Sequence, residues 1–330
     1  MYIISTLNML NFQPQFLKFH EAIKIDFDNN QPLREKRDII VNNLRDGLKK
    51  LFPKNTPTFS YFNQGSYDLA TGVVPLSNED YDIDVGIIFN FSKNSYKPVD
   101  VKHWVHNALN TGVRTVQIKR PCVRVQYHQN RQKWFHIDLA IYSSDKDYSG
   151  NEVNYIAKGL IWSSDDKKIW EISEPFNLKA LLKSQFSNDL DRKQLRRIIR
   201  YLKRWKDYNF LPGTGRPTGI ALTACCYNLF QPKRAYNYYT NQYEYSDLSA
   251  LYHVANGIIG MFSFDNEINV RLPVQPYNNL FEKMSKIQMI NFRIELMELK
   301  NIITHAQNDT QTQTACRKLR RAFGNDFPEG

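Results

Sequence analysis

The stretch Glu79-Asp80-Tyr81-Asp82-Ile83-Asp84-Val85-Gly86-Ile87-Ile88-Phe89 decides how this chain is read. Asp80, Asp82 and Asp84 recur at every second position, and side chains alternate between the faces of a strand, so that spacing sets all three acids on one face. Like charges so placed repel unless cations neutralise them. A set lining a cleft therefore suits Mg²⁺ or Mn²⁺, which take oxygen ligands, while the same spacing also fits an acidic strand end facing water. A second segment, Trp134 to Tyr142, puts Phe135, Ile137, Leu139 and Ile141 on one face and leaves Asp138 on the other with His136 and Tyr142. A lone carboxylate in so apolar a strand needs a partner. A metal shared with Asp82 and Asp84 supplies one, and three carboxylates from two strands are enough to hold two divalent ions for an in-line phosphoryl displacement.

Upstream of the acids, residues 32 to 52 carry Ile40, Leu44, Leu48 and Leu51 at helical spacing, with Pro32 at the start and Pro53 as the stop. Segments 82 to 91, 114 to 127 and 134 to 142 are rich in Val, Ile, Phe and Tyr and alternate as half-buried strands do. From about residue 175 the pattern turns helical, near 177 to 188, 189 to 207, 217 to 230, 247 to 261 and 278 to 307. The expected architecture is α/β (α+β), with a mixed sheet and a long N-terminal helix in residues 1–170 and a helical lobe in 171–330. The tyrosine-rich tract from Tyr236 to Tyr245 reads as a solvated loop. In 189 to 207, Leu195, Ile198, Ile199, Leu202 and Trp205 form the buried stripe. Lys203 sits at its border, and Lys193, Arg197 and Arg204 fall on a solvated basic face.

A chain of 330 residues is long enough for two domains and a real core. Lys and Arg number 44 against 33 Asp and Glu, a net charge of +11, which points to polyanionic partners without choosing among nucleotides, nucleic acid or a membrane surface. At 42% hydrophobic and 13% aromatic the chain is not disordered, and no stretch has the roughly 18 uninterrupted apolar residues of a spanning helix. Met1 to Leu10 lacks the basic region and cleavage site of a secretory signal, so a soluble cytoplasmic protein without membrane attachment is expected. Cys122, Cys225, Cys226 and Cys316 form no C-x-x-C and read as reduced packing residues. His103 and His106 lack further ligands at finger-like spacing and read as surface histidines.

Upstream of the acids lies Asn63-Gln64-Gly65-Ser66-Tyr67, in which Gly65 lets the backbone approach an anion closely and Ser66 could cap a following helix. A Gly-Ser pair alone is a common turn. With the Asp82/Asp84 pair sixteen residues after Ser66 and the distant Asp138, it resembles the polymerase-β-like nucleotidyltransferase superfamily, whose pattern is h-G-S, a spacer, D-h-D-h and a later h-D-h. The text from Gln64 to Val85 is similar to the bacterial relatives of cyclic GMP-AMP synthase, the CD-NTases of antiphage (CBASS) signalling, which are also related to oligoadenylate synthases. Ile198-Ile199-Arg200-Tyr201-Leu202-Lys203 resembles their lysine-bearing helix, and Leu211 to Thr223 resembles the element after it, with Thr218 where the family often has Ser. Leu272 to Asn279 resembles an oligoadenylate-synthase stretch but has Leu272 in place of its first Asp, and the Phe323-to-Pro328 end is also family-like.

The resemblance implies a polymerase-β-like core with a helical C-terminal lobe, and two Mg²⁺ (or Mn²⁺) ions held by Asp82, Asp84 and Asp138. Gln64, Gly65, Ser66, Lys203 and Thr218 would bind the nucleotide. It implies an enzyme that condenses NTPs (ATP, and GTP or pyrimidine NTPs) into a cyclic di- or trinucleotide second messenger with release of pyrophosphate. The alternatives are a template-independent RNA or tRNA nucleotidyltransferase, a linear oligonucleotide synthase, or an inactive nucleotide- or RNA-binding module. A nucleic-acid or protein activator and covalent conjugation through Gly330 are further expectations of the resemblance.

Overall fold

The computed structural model describes residues 10–25, 30–77, 79–112, 114–129, 132–213, 215–237 and 240–330. Residues 1–9, within the stretch read as lacking a secretory signal, Thr214 in the Pro-Gly turn, and Tyr238 and Tyr239 in the tyrosine-rich tract lie outside the described residues.

The helices are α1 (Gln13–Ile23), α2 (Gln31–Leu51), α3 (Gly65–Asp68), α4 (Pro98–Leu109), α5 (Pro175–Ser184), α6 (Asp189–Asn209), α7 (Gly219–Leu229), α8 (Asp247–Gly260), α9 (Lys286–Gln307) and α10 (Thr312–Phe323). The strands are β1 (Phe59–Asn63), β2 (Tyr81–Phe89), β3 (Thr115–Ile118), β4 (Val123–Gln129), β5 (Gln132–Lys146), β6 (Glu152–Ala157), β7 (Trp170–Ile172), β8 (Arg234–Asn237) and β9 (Gln242–Tyr245). They form two compact units. The first comprises Ile25–Leu182 and Pro273–Asn278, and the second comprises Met1–Lys24, Lys183–Leu272 and Asn279–Gly330.

In the first unit the sheet runs β1-β2-β5-β4-β3, with β6 pairing the far half of β5 and β7 pairing β6. β2 and β5 are parallel and the other pairs are antiparallel, so the sheet is mixed. α2 begins at a cap in which the Asn30 side chain accepts from the Leu33 amide, with proline in the first turn. Its Ile40, Leu44 and Leu48 join Ile83, Val85, Ile87, Ile137, Leu139 and Ile141 in one apolar core. The last expected core position, Leu51, is 44% exposed because the helix stops there. The strand expected over 114 to 127 is two strands, folded back at Lys119 to Cys122, where the Lys119 amide bonds the Cys122 carbonyl. Buried Lys102 of α4 fastens that turn by donating to the carbonyls of Lys119, Arg120 and Gly159. Pro273–Asn278 returns to this unit, where the Gln275 amide donates to Glu174.

The second unit is helical, apart from the β8–β9 hairpin that replaces the expected loop between Tyr236 and Tyr245. α1 was expected with the sheet but divides with the helices. Phe16 and Phe19 of α1 are fully buried against Tyr201, Phe323 and Phe327, with ring centroids 4.9 to 6.5 Å apart. α6 runs through the middle of this unit. Its stripe Leu195, Ile198, Ile199, Leu202 and Trp205 is buried as expected. Of the expected solvated face, Lys193 is exposed, but Arg197 forks onto buried Asp247 of α8, and Arg204, 2% exposed, pairs with Asp326. Periodicity alone sees one partner face, whereas α1, α8 and α10 all pack on α6. All four cysteines are buried and unpaired with one another. No described helix is long and apolar enough to cross a membrane.

Candidate active site

Register brings the acids together. In the parallel β2–β5 pair, Asp84 lies opposite Asp138 and Asp82 opposite His136. Even-numbered residues of both strands share a face, so the two carboxylates expected on β2 and the one on β5 meet on one surface. Asp82 is the most exposed, while Asp84 and Asp138 are half-buried. Asp80 lies one residue before β2 and turns toward His136, whose Nδ1 is 2.8 Å from its Oδ2.

The Gly-Ser loop closes over this surface. The Gln64 amide donates to the Asp84 carbonyl at 3.0 Å, and Gly65 has φ +64°, a left-handed conformation that favours glycine. A Cβ on Gly65 would stand 2.1 Å from Asp84 Oδ2, so the anion that glycine lets the backbone approach is Asp84 itself. Gln64 Nε2 donates to the Tyr142 hydroxyl at 2.9 Å. Burial, the largest influence on that phenol, pushes it up to about 12, so it stays protonated. Ser66 does not cap α3. It lies inside that short helix, whose cap residue is Gln64, and its carbonyl accepts from the Thr71 amide at 2.8 Å.

Two cations that the sequence reading did not assign stand among the acids. Arg124 of β4 forks onto Asp138, Nε to Oδ1 at 2.8 Å and Nη2 to Oδ2 at 2.7 Å. His136 bridges Asp80 and Asp82, its Nε2 lying 3.0 Å from Asp82 Oδ1. Burial disfavours the imidazolium, but the hydrogen bond and charge of Asp82, with Asp80 behind it, outweigh burial and push His136 up to about 9. Burial raises the Asp80 carboxyl, and hydrogen bonds from Gln126 and His136 more than offset it, leaving it below the usual carboxylate range. Arg124 carried a legible signal: a lone charge in the apolar run Val123-Arg124-Val125, on the strand that turns out to flank Asp138.

Asp82, His136 and Asp138 each offer a ligand atom, all within 4.8 Å of one another. The carboxylate oxygens of Asp82 and Asp138 suit Mg²⁺ or Mn²⁺ in charge and hardness, Asp84 stands in register beside them, and His136 holds Asp82 in place. The residues present fit a divalent cation. In the helical unit, Thr218 caps α7, its Oγ1 accepting from the Ala221 amide at 3.2 Å. Buried Lys203 reaches the same helix end, where a Cβ on Gly219 would lie 3.7 Å from its Nζ. The structure thus sets Lys203 and Thr218 beside each other.

Residues 59–142, which hold the Gly-Ser loop and all three acids, match the family described as cyclic GMP-AMP synthase DncV-like, nucleotidyltransferase domain. That region of the chain is thus similar to a DncV-like nucleotidyltransferase domain. Over 179 residues it is 24% identical to cyclic GMP-AMP synthase of Escherichia albertii, a stretch covering 52% of this chain and 36% of that protein. The match thus spans about a third of the curated relative. The Vibrio cholerae DncV cyclic AMP-GMP synthase superposes with a TM-score of 0.73 at 18% identity, covering 96% of this chain and 97% of the other. The same enzyme in complex with the linear intermediate 5′ pppA(3′,5′)pG gives 0.73 at 17% identity over 97% of each chain. The region that matches the family therefore lies in a chain whose fold is like that of Vibrio cholerae DncV along nearly its whole length.

Proposed function

We propose that the protein is a metal-dependent nucleotidyltransferase that condenses NTPs into a cyclic di- or trinucleotide and releases pyrophosphate. The observation that carries this reading is the β2–β5 register, which sets Asp84 against Asp138 and Asp82 against His136 beneath the Gly65 turn. Asp82 and Asp84 would hold both divalent ions and Asp138 would complete the acceptor side. When bound, the ions lower the pKa of the attacking ribose hydroxyl and offset the charge of the triphosphate. Asp138 would also receive the hydroxyl proton. Gln64, Gly65 and Ser66 would position the donor phosphates, with Lys203 and Thr218 contacting the triphosphate. Catalysis on this reading is chiefly positioning and charge neutralisation.

Vibrio cholerae DncV is described with GTP and with a linear pppA(3′,5′)pG intermediate, which supports ATP and GTP as the first substrates to try. A role in antiphage signalling, a cytoplasmic location, a nucleic-acid or protein activator and conjugation through Gly330 extend the same reading. The test is incubation with all four NTPs and Mg²⁺ or Mn²⁺, followed by phosphatase treatment and mass spectrometry. A phosphatase-resistant cyclic product formed without RNA is expected. NTP use that requires added RNA would favour the RNA-extending alternative, and absence of any NTP use would favour a binding module.

A further inference from the structure

Arg124 occupies both oxygens of Asp138 in a planar fork. Guanidinium matches carboxylate geometry in this arrangement and stays charged at every working pH. The pair is sheltered, with the Asp138 side chain 14% exposed and that of Arg124 30% exposed. β4 and β5 hold it rigidly, because Arg124 and Asp138 are direct register partners in an antiparallel pair. The Asp82 charge also bears favourably on Arg124. A dication bound to the Asp138 carboxylate would stand close to the guanidinium, and the two like charges would repel across a partly dry site.

We propose that Arg124 is a built-in counter-ion of the acidic site, neutralising Asp138 in the metal-free protein and competing with the divalent cation for that carboxylate. It is a positioning residue that acts through Asp138, and it sets the affinity for metal. This role rests on the reading of Asp82, Asp84 and Asp138 as metal ligands. It also answers how three clustered acids are tolerated before a metal arrives, since the protein supplies its own cation.

The test is Mn²⁺ binding to the full chain, followed by electron paramagnetic resonance and by the metal-induced shift in Tm. The variants are Arg124→Met, Arg124→Lys, Asp138→Asn and the Arg124→Met/Asp138→Asn double variant. Arg124→Met, of similar length without charge, is expected to melt lower without metal, bind Mn²⁺ about tenfold more tightly and show a larger metal-induced rise in Tm. Arg124→Lys keeps the charge and should stay near the native affinity, and the gain should vanish in the Asp138→Asn background. A merely structural role would lower Tm in Arg124→Met while leaving Mn²⁺ affinity unchanged or weaker, and that result overturns the proposal. If the native chain shows no Mn²⁺ binding that Asp82→Asn/Asp84→Asn abolishes, the metal-site reading itself fails, and the counter-ion role fails with it.

Discussion

Gly65 shows how one residue links backbone conformation to chemistry. Its φ of +64° and its contact with Asp84 mean that alanine there meets strain and a carboxylate at once. The strain costs about 1–2 kcal/mol, whereas the overlap is relieved by turning the Asp84 side chain. Gly65→Ala is therefore expected to lower stability by about 1–2 kcal/mol yet remove most of the nucleotidyl-transfer activity, a split read by urea denaturation beside product yield. Asp82, Asp84 and Asp138 were legible because charge in an apolar alternating strand is conspicuous. Asp138's partner was not, since the choice between a metal and Arg124 depends on which strands become neighbours, and alternation within one strand is silent on that. Ser66 misled for a related reason: a hydroxyl before a short helix suggests a cap, but the chain enters α3 two residues earlier than the motif implies.

At the scale of elements, α1 and α6 carry the clearest consequence. His20 of α1 lies with its Nε2 3.0 Å from Nη1 of Arg200 of α6, and burial first, then the Arg200 charge, lower its pKa to about 4. The unfolded chain binds a proton near 6.5 that the folded chain refuses, so stability falls as pH drops from about 6.5 to about 4. His20→Gln keeps an acceptor for Arg200 and cannot protonate. The variant should gain on the native chain by up to about 3 kcal/mol between pH 7.5 and pH 4, measured by denaturant unfolding across that range. A gap that stays constant with pH would count against the assignment. The long helices were legible from their spacing and caps, but the burial of Arg197 and Arg204 was not, because a helix packed on several sides gives the same apolar stripe as one packed on one. Arg197 forks onto fully buried Asp247, so Arg197→Ala is expected to destabilise the fold. It leaves a buried carboxylate without its cation, with Gln194 and Tyr201 its remaining donors.

At the scale of the whole molecule, sequence order and spatial division differ. The sheet and the helical character of the later chain were legible, while α1 and Pro273–Asn278 each belong to the unit that the simple two-part division would deny them. Both placements come from long-range contacts: Phe16 and Phe19 against Tyr201 and Phe327, and the Gln275 amide on Glu174. The net charge of +11 suited nucleotides as well as nucleic acid, and the proposed reaction at the β2–β5 acids favours nucleotides.

The central claim is that Asp82, Asp84 and Asp138 carry out metal-dependent nucleotidyl transfer, and pyrophosphate release from ATP plus GTP tests it most directly. The native chain is expected to release pyrophosphate with Mg²⁺ or Mn²⁺ and no added RNA. Asp82→Asn/Asp84→Asn should release none while remaining folded, because Asp80 still pairs with buried His136 and the loss of the Asp82 charge is offset by relief of acid–acid repulsion. Pyrophosphate release by the folded double variant at the native rate would contradict the account.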